Sequence, residues 1–385
     1  MTEDERLLEL AAAIADGARV DWTTAAAEAV NPRARALVGK LEVLAGIARV
    51  QSNLLEHGVR TDSRPNPSPP GGEIGGMRIL RCLGEGLVGV VYEVAPDEAH
   101  PCGAAVKLIR WDLDARRIVR RFQEQAGTID RLGDSRLARV REVGITPQGR
   151  AFFVQELAEG QPITDYCDAA GLPLAARVRL VSEIGSALHH AHEAGLCHLD
   201  LKPPNVLARN VEGTHEPKIL DLGIAHALDD GWTRIFLMQA HGRVDPHLGY
   251  LSPEQVDFTG NRELDCRTDV FAIAALLYEL VTGRQPRDPL AAQQGSLAAN
   301  LRATLEDVPR PPSQVISDLE TKQMESVAVS RGTSAEALVR QIPSELDRLV
   351  ARGLKGDPRE RPASAASFAS ELSSIARQME LDAGV

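Results

Sequence analysis

Cysteine is scarce in this chain of 385 residues, and the cysteines that are present follow no pattern. The five of them, Cys82, Cys102, Cys167, Cys197 and Cys266, are scattered, odd in number and contain no C-x-x-C pair. This distribution argues against a disulfide framework and against a zinc site, and it fits a reducing compartment. We therefore expect a cytoplasmic protein.

Net positive charge and long apolar runs are also missing. The formal net charge is −11, which argues against a broad nucleic-acid-binding surface. The acidic N-terminus lacks the apolar core of a signal peptide. The apolar run from Val270 to Tyr278 is too short to span a bilayer and is expected to form a buried helix. The sequence thus predicts no nucleic-acid partner and no membrane segment.

What remains has an ordinary globular composition, with 43% hydrophobic and 25% charged residues. An imperfect helical stripe occupies the first 57 residues. Four prolines and four glycines within residues 61 to 76 predict a linker. The predicted division is a helical accessory segment (1–60), a linker (61–76), one domain with an N-lobe (77–157) and a C-lobe (158–378), and a tail (379–385).

Within the domain, strand patterns come first and helical patterns follow. The expected strands are Met77 to Leu83, Val88 to Val94, Ala104 to Ile109 and two more within residues 139 to 157, with a helix at residues 115 to 132 between them. Helices dominate from residue 174 onward. Residues 291 to 340 are polar and weakly patterned, and they predict a surface insertion with some helix.

A glycine-rich segment of the form G-x-G-x-x-G-x-V lies near the start of the domain. It comprises Leu83, Gly84, Glu85, Gly86, Leu87, Val88, Gly89, Val90 and Val91. Glycine lets backbone amides approach phosphate oxygens. Dinucleotide-binding folds carry a similar motif, but there the glycines open a helix. Here a strand-like alternation follows, which favours the strand–loop–strand hairpin of a kinase.

The next predicted strand carries Ala105 and Lys107. A lysine in an apolar strand needs a partner for its ammonium group, because burying that group unpaired is costly. One interpretation is a clamp on the α- and β-phosphates of a nucleotide, and the other is a surface lysine with an exposed tip. The position directly after the glycine-rich segment favours the clamp.

The segment from His198 to Leu207 matches the motif H-x-D-L-K-P-x-N. Further motifs follow in order: Asp221-Leu222-Gly223, Ser252-Pro253-Glu254, Asp269 on an apolar helix, and Arg361 near the end. On these motifs the chain resembles the eukaryotic-like (Hanks-type) serine/threonine protein kinases of bacteria, over about residues 77 to 378. The resemblance implies a bilobal α+β kinase fold, with a small antiparallel sheet and one helix in the N-lobe and a larger helical C-lobe. It also implies ATP and Mg²⁺ as cofactors, protein substrates with Ser/Thr acceptors, and autophosphorylation.

The resemblance also implies roles in catalysis. Asp200 would orient the substrate hydroxyl and accept its proton, and Lys202 would neutralise charge on the transferred phosphoryl group. Asn205 and Asp221 would hold Mg²⁺, a hard cation that prefers oxygen ligands. The other interpretation of Asp221 is a turn aspartate before glycine, which is common.

The nucleotide base has an implied site as well. Adenine would lie in an apolar slot with Leu83, Val91 and Ala105 above and Leu207 below. Glu156 to Ala158 match the hinge between the lobes, where the backbone would read the adenine edge, and Gln155 precedes them. Three further residues have implied architectural roles. Glu254 would pair with Arg361, and Asp269 would hold the backbone of the catalytic loop.

The sequence departs from the family pattern at three positions. Gln125 stands where the family usually has a glutamate that pairs with the strand lysine, unless a one-residue helix shift brings Glu124 inward. Leu199 replaces an arginine that normally binds a phosphate on the activation segment, so we expect activity without phosphorylation of Thr233 there. His247 replaces the threonine of G-T-P-x-Y, and it either substitutes for that threonine or is an exposed loop histidine.

Two hypotheses from different classes follow. The first is an active kinase, favoured by the presence of Lys107, Asp200, Asn205 and Asp221. The second is a pseudokinase, an ATP-binding scaffold with weak or no transfer, favoured by Gln125 and His247. A small-molecule kinase of related fold is disfavoured by the S-P-E segment.

Overall fold

The computed structural model describes most of the predicted domain and isolated parts of the N-terminal segment. The described residues are 71–110, 113–129, 131–228, 245–256, 264–287, 303–305, 307–382 and 384, together with 6, 9–13, 20–29, 34, 38 and 41. Thr233, most of the accessory segment and most of the linker lie outside them.

The β-strands form two antiparallel sheets. In chain order they are Glu73–Ile74 (β1), Met77–Glu85 (β2), Gly89–Val94 (β3), Ala104–Ile109 (β4), Val140–Ile145 (β5), Ala151–Glu156 (β6), Gln161–Pro162 (β7), Val206–Val211 (β8) and Thr214–Ile219 (β9). The first sheet has the order β1-β2-β3-β4-β6-β5, and the second has the order β7-β8-β9.

Most of the helices follow the first sheet. They are Trp22–Ala27 (α1), Ala115–Ile129 (α2), Ile163–Ala169 (α3), Leu174–Glu193 (α4), Ile224–Leu228 (α5), Pro253–Val256 (α6), Cys266–Thr282 (α7), Pro312–Ser317 (α8), Thr321–Ser330 (α9), Ala335–Arg340 (α10), Ser344–Gly353 (α11) and Ala365–Asp382 (α12). The predicted α+β class, with a small sheet followed by a larger helical part, is confirmed.

The six-stranded sheet buries its two faces against different partners. Because side chains alternate along a strand, Val90 and Tyr92 of β3 enter an apolar cluster on the outer face. Val91 points to the opposite face, where it lies beside Lys107 of the neighbouring strand. That inner face looks toward the helical lobe and carries the residues of the site.

Helix α2 lies under the inner face of this sheet. Asp114 Oδ1 accepts hydrogen bonds from the backbone N–H groups of Arg116 and Arg117, both 3.1 Å long, and so satisfies donors at the start of the helix. Phe122 is buried and meets Phe153 of β6 edge to face, with ring centroids 5.1 Å apart. The helix ends at Ile129 and not at residue 132 as predicted. The N–H groups of Arg131 and Leu132 instead form turn hydrogen bonds to the carbonyl oxygens of Thr128 and Ile129.

The helical lobe is built around α7 and α4. The predicted apolar run lies within α7 and is buried, as expected. Gly185 of α4 allows close packing against α12, because a Cβ there would lie 3.1 Å from the Ala369 Cβ. Ser182 Oγ donates to the Ala369 carbonyl oxygen at 2.8 Å, which joins the same two helices. Within the described part of the chain, no helix is long and apolar enough to cross a membrane.

The ends of two predicted segments are better defined in the structure. Glu73 and Ile74, which the sequence assigns to the linker, pair with Arg78 and Met77 as strand β1. The sheet therefore begins before the predicted domain start at residue 77. In the predicted insertion at residues 291 to 340, the described part contains α8, α9 and α10.

Candidate active site

An ion pair joins the sheet to the helical lobe. Lys107 Nζ of β4 lies 2.5 Å from Asp221 Oδ2, and the two side chains are 13% and 8% exposed. The strand supplies Lys107 on its inner face, and Asp221 follows strand β9 closely. Because Lys107 is well buried, the carboxylate balances a charge that would be costly to bury alone. The clamp interpretation of Lys107 is thus compatible with its position, and the exposed-lysine interpretation is not.

Asp221 has an unusual backbone conformation and a second carboxylate oxygen that could bind a ligand. Its φ is 64°, in the left-handed region that non-glycine residues rarely occupy. Its Oδ1 is buried and makes no hydrogen bond within the described residues. Gly223 has a φ of 82°, and a Cβ there would lie 2.7 Å from Ile129 Cδ1, so this turn requires glycine.

The predicted catalytic loop gathers three polar side chains. Lys202 Nζ is 3.0 Å from Asp200 Oδ1. Asn205 Nδ2 donates to the Asp200 carbonyl oxygen at 2.7 Å and to Asp200 Oδ2 at 3.2 Å. A 3₁₀ turn over Pro203–Asn205 places Asn205 where it can reach back to Asp200. The Asn205 carbonyl oxygen accepts the Leu220 N–H at 2.9 Å, which connects the loop to the residue before Asp221.

The side-chain oxygens of Asn205 and Asp221 suit a hard cation that also binds substrate. The amide nitrogen of Asn205 is turned toward Asp200, which leaves its side-chain oxygen as the possible ligand. Asp221 Oδ1 is a second buried oxygen without a hydrogen-bond partner within the described residues. The described residues contain no group of three or more His, Cys, Asp or Glu that could hold a metal alone. Mg²⁺ commonly takes one or two protein oxygens and completes its shell with phosphate and water, so the residues fit it.

Asp269 supports the catalytic loop from α7. Its Oδ2 accepts the His198 N–H and its Oδ1 accepts the Leu199 N–H, both at 2.7 Å. His192 Nε2 lies 2.7 Å from Asp269 Oδ2. Burial alone would raise the pKa of Asp269, but the hydrogen bond and charge of His192 keep it below its ordinary value. Asp269 therefore stays ionised while fully buried.

Two side chains fix the remaining backbone of the loop. His198 Nδ1 accepts the Asp200 N–H at 3.2 Å, so its Nε2 carries the proton and donates to the Leu220 carbonyl oxygen at 2.8 Å. Gln255 Nε2 donates to the Leu199 carbonyl oxygen at 2.7 Å. Leu199, which stands where the family has arginine, is buried and has a φ of 62°.

The glycine-rich loop is held by a residue that the sequence did not single out. Arg110, just after β4, donates from Nε to the Leu87 carbonyl oxygen at 2.5 Å and from Nη2 to the Gly86 carbonyl oxygen at 3.2 Å. Its Nη2 also lies 3.6 Å from Glu85 Oε1. A Cβ on Gly89 would overlap the carbonyl oxygen of Leu108, which explains glycine there. An arginine after a predicted strand gives no local signal of such a role.

The apolar slot is placed partly as expected. Val91 and Leu207 are half-buried, Ala105 is buried and Leu83 is exposed. Val90 points into the outer cluster, so only its backbone can contribute to a nucleotide site. This orientation follows from the alternation along β3, and a role for the Val90 backbone in the glycine-rich segment stays a prediction.

Two polar side chains, one just before the hinge and one within it, have different surroundings. Gln155 pairs with Ala105 across the sheet and is buried, and its Oε1 has no hydrogen-bond partner among the described residues. Glu156 Oε1 accepts from Lys218 Nζ of β9 at 2.6 Å, so this side chain connects the hinge to the helical lobe. Ala158 is half-buried at the end of the hinge.

Gln125 is the residue of α2 that faces the site. It is half-buried, whereas Glu124 is exposed, so the alternative of an inward Glu124 is not realised. The Gln125 Oε1 would lie 3.8 Å from a Cβ on Gly223. A neutral amide therefore occupies the place next to the turn that carries Asp221.

Glu254 and Arg361 form a buried ion pair, as the resemblance implies. Arg361 Nη1 and Nη2 donate to Glu254 Oε1 and Oε2 at 2.6 and 2.7 Å. The Arg361 guanidinium also lies 5.1 Å from the Phe271 ring centroid. Burial alone would raise the pKa of Glu254, but the hydrogen bonds and charge of Arg361 lower it below its ordinary value.

His247 contacts Asp245 and Tyr250, which lie in the same described segment, 245–256. Its N–H donates to Asp245 Oδ1 at 2.9 Å, and its Nδ1 lies 3.3 Å from the same oxygen. Its ring centroid lies 6.3 Å from that of Tyr250. It is partly buried rather than a fully exposed loop residue, and any contact with substrate remains a prediction.

Comparisons with known proteins identify the family of this chain. The family described as protein kinase domain matches residues 77–372. Serine/threonine-protein kinase pkn3 of Myxococcus xanthus is 30% identical over 306 residues, which are 78% of this chain and 50% of that protein. Serine/threonine-protein kinase PknD of Mycobacterium tuberculosis is 29% identical over 302 residues, which are 78% of this chain and 39% of that protein. The chain thus spans half or less of the length of these curated relatives.

Solved structures share the fold. The PknI kinase domain of Mycobacterium tuberculosis superimposes with a TM-score of 0.55 at 22% identity, covering 80% of this chain and 99% of that domain. At this identity the likeness concerns the fold alone. The family itself is shown by the match over most of the chain. This chain belongs to the protein kinase family, in its bacterial serine/threonine (Hanks-type) branch.

Proposed function

We propose that this chain is an ATP-dependent serine/threonine protein kinase that uses Mg²⁺ and transfers the γ-phosphoryl group of ATP to protein hydroxyls. The observation that carries the proposal is the ion pair between Lys107 and Asp221 across the two lobes, at 2.5 Å. A chain of hydrogen bonds runs from Asp200 through Asn205 to the residue before Asp221. These contacts bring an ammonium, two potential metal ligands and a carboxylate suited to accept a proton close together, which supports the proposal.

The N-lobe would bind and orient the nucleotide. The backbone of the glycine-rich loop, with Arg110 holding the carbonyl oxygens of Gly86 and Leu87, would cover the phosphates. On nucleotide binding, Lys107 would exchange part of its contact with Asp221 for phosphate oxygens. The adenine would enter the slot formed by Ala105 and Leu207, next to the hinge.

The catalytic loop would position the acceptor. Asp200 would hold the substrate hydroxyl by hydrogen bonding and take its proton as the phosphoryl group transfers. Lys202, 3.0 Å from Asp200, would place positive charge beside the transferred group. Bound Mg²⁺, held by Asn205 and Asp221, would supply charge neutralisation on the phosphate oxygens.

Protein substrates with serine or threonine acceptors are supported by the family, and autophosphorylation belongs to the same proposal. The buried Leu199 supports activity that does not depend on a phosphate in the activation segment, because no arginine stands there to bind one. A cytoplasmic location is supported by the five free cysteines.

The test is transfer of label from γ-labelled ATP to a generic protein substrate in the presence of Mg²⁺, followed by phosphoamino-acid analysis. We expect label on serine and threonine, and we expect Asp200→Ala to abolish it without loss of the folded state by circular dichroism. ATP binding without any transfer would favour the pseudokinase hypothesis and would overturn the proposal.

A further inference from the structure

Two of the five cysteines meet beneath the catalytic loop. Cys197 Sγ lies 2.7 Å from Cys266 Sγ, and both are free thiols with partial exposure. Cys197 directly precedes His198, whereas Cys266 is the first residue of α7. Two segments far apart in sequence therefore place their sulfurs in contact, and neither thiol is among the residues assigned to nucleotide, metal or transfer.

The surroundings favour a thiolate at Cys266. A helix N-terminus favours negative charge, and Cys266 occupies the first turn of α7 after the capping residue Asp265. The hydrogen bond from Cys197 lowers the pKa of the Cys266 thiol below its ordinary value, burial opposes this, and the charge of His192 lowers it further. The carboxylates of Asp265 and Asp269 face the same thiol and oppose ionisation.

His192 completes this cluster. Burial alone would lower the pKa of His192, but its hydrogen bond to Asp269 outweighs burial and raises the pKa. Its Nδ1 is buried without a hydrogen-bond partner among the described residues. An imidazole whose charge acts on the Cys266 thiol is the type of neighbour that activates cysteine thiols.

We propose that Cys197 and Cys266 form a modification site at which a hydroperoxide closes a reversible disulfide under the catalytic loop. The paired sulfurs, their location on two separate elements and their partial exposure carry the proposal. Disulfides in reducing compartments are usually transient and redox-sensing, which is the behaviour expected here.

The chemistry balances with hydrogen peroxide as the oxidant. The Cys266 thiolate attacks one peroxide oxygen, the O–O bond breaks, and the released hydroxide takes a proton to become water. Cys266 is then a sulfenic acid. The Cys197 sulfur attacks the Cys266 sulfur, the S–O bond breaks, and the departing hydroxide accepts the Cys197 proton. Two thiols are oxidised by two electrons to one disulfide, and one peroxide is reduced to two waters.

The expected consequence, which rests on the proposed kinase function, is a loss of phosphoryl transfer. Asp269 of α7 already binds the N–H groups of His198 and Leu199. A covalent bond from Cys197 to the same helix would fix the start of the loop that carries Asp200. Small misplacements of catalytic groups lower rates strongly, so we expect transfer to fall about fivefold or more.

The experiment treats the purified full chain with limiting hydrogen peroxide, blocks free thiols by alkylation, and maps peptides without reduction. We expect a cross-linked peptide pair containing Cys197 and Cys266, formed while the exposed Cys82 and Cys102 still alkylate, and removed by dithiothreitol. In Cys197→Ser we expect a dimedone adduct at Cys266 instead, and in Cys266→Ser neither product.

Two results would overturn the inference. One is oxidation at Cys82 or Cys102 with no cross-link between Cys197 and Cys266. The other is a cross-linked protein that transfers phosphate with the same rate constant as the dithiol form, which would show that the disulfide does not inhibit transfer. Because the peptide map does not depend on activity, a chain without any transfer would refute the kinase proposal and leave the disulfide test intact.

Discussion

The buried ion pair between Glu254 and Arg361 allows a quantitative prediction. Both side chains are fully buried, at 0% exposure each, and two hydrogen bonds of 2.6 and 2.7 Å join them. Glu254→Gln removes the carboxylate charge and leaves a buried guanidinium uncompensated. Removing one partner of such a pair costs about 3–5 kcal/mol of the free energy of unfolding. Arg361→Met leaves the opposite charge buried and should cost a similar amount.

The double variant tests whether the two costs share a cause. Glu254→Gln together with Arg361→Met leaves no unpaired charge, so its cost should be about 1–3 kcal/mol smaller than the sum of the single costs. A matched control is the surface pair of Arg352 and Glu371, 2.6 Å apart with side chains 48% and 46% exposed. Arg352→Met should cost about 1 kcal/mol or less, because exposed ion pairs contribute little.

The assay is urea unfolding followed by far-ultraviolet circular dichroism at neutral pH and again at acidic pH. The folded pKa of Glu254 is below its ordinary value of 4.5. The stabilisation from its charge is therefore fully present above that value and is lost as pH falls through the folded pKa. The gap between wild type and Glu254→Gln should accordingly shrink on acidification. Strictly additive single costs, or a gap that widens at low pH, would refute the reasoning.

Three further predictions concern the site. Gly89→Ala should lower the ATP affinity and the free energy of unfolding, because the added Cβ overlaps the backbone of β4. Gly84→Ala has open space around the added Cβ and should fold normally. Equal stability of the two variants in thermal melts would contradict this prediction. Gln125→Glu should lower the KM for ATP about fivefold, since a carboxylate at the position that pairs with Lys107 in the family would place this lysine more firmly than a neutral amide does. An increased KM in steady-state kinetics would count against this prediction. Thr233→Ala should retain phosphoryl transfer in the label assay, because Leu199 cannot bind a phosphate, and complete loss would show that reasoning to be wrong.

The elements near the motifs were predictable because their signals are local. The strand Ala104–Ile109 has the predicted bounds, since an apolar run and flanking turns define it within a few residues. Gln125 was correctly placed on the inner face of α2 by helical spacing, and Glu124 is exposed as that spacing requires. The motifs identified Lys107 and Asp221 separately as site residues, and the structure brings them into contact.

Contacts between segments that carry no motif were not predictable. Arg110 reaches the carbonyl oxygens of the glycine-rich loop, and Lys218 reaches Glu156 at the hinge, but neither residue differs locally from a surface cation. The contact between Cys197 and Cys266 depends on the packing of the catalytic loop against α7. Such pairings are set by tertiary structure, and periodicity in the sequence does not encode them.

The most direct test of the account is the affinity for ATP measured by isothermal titration with and without Mg²⁺. We expect Mg²⁺ to strengthen ATP binding about tenfold or more in wild type. We expect Asp221→Asn to lose this enhancement because a metal ligand is gone, and Asp200→Asn to keep it. If Asp221→Asn shows the same Mg²⁺ enhancement as wild type, the two lobes do not gather their groups around one nucleotide as described.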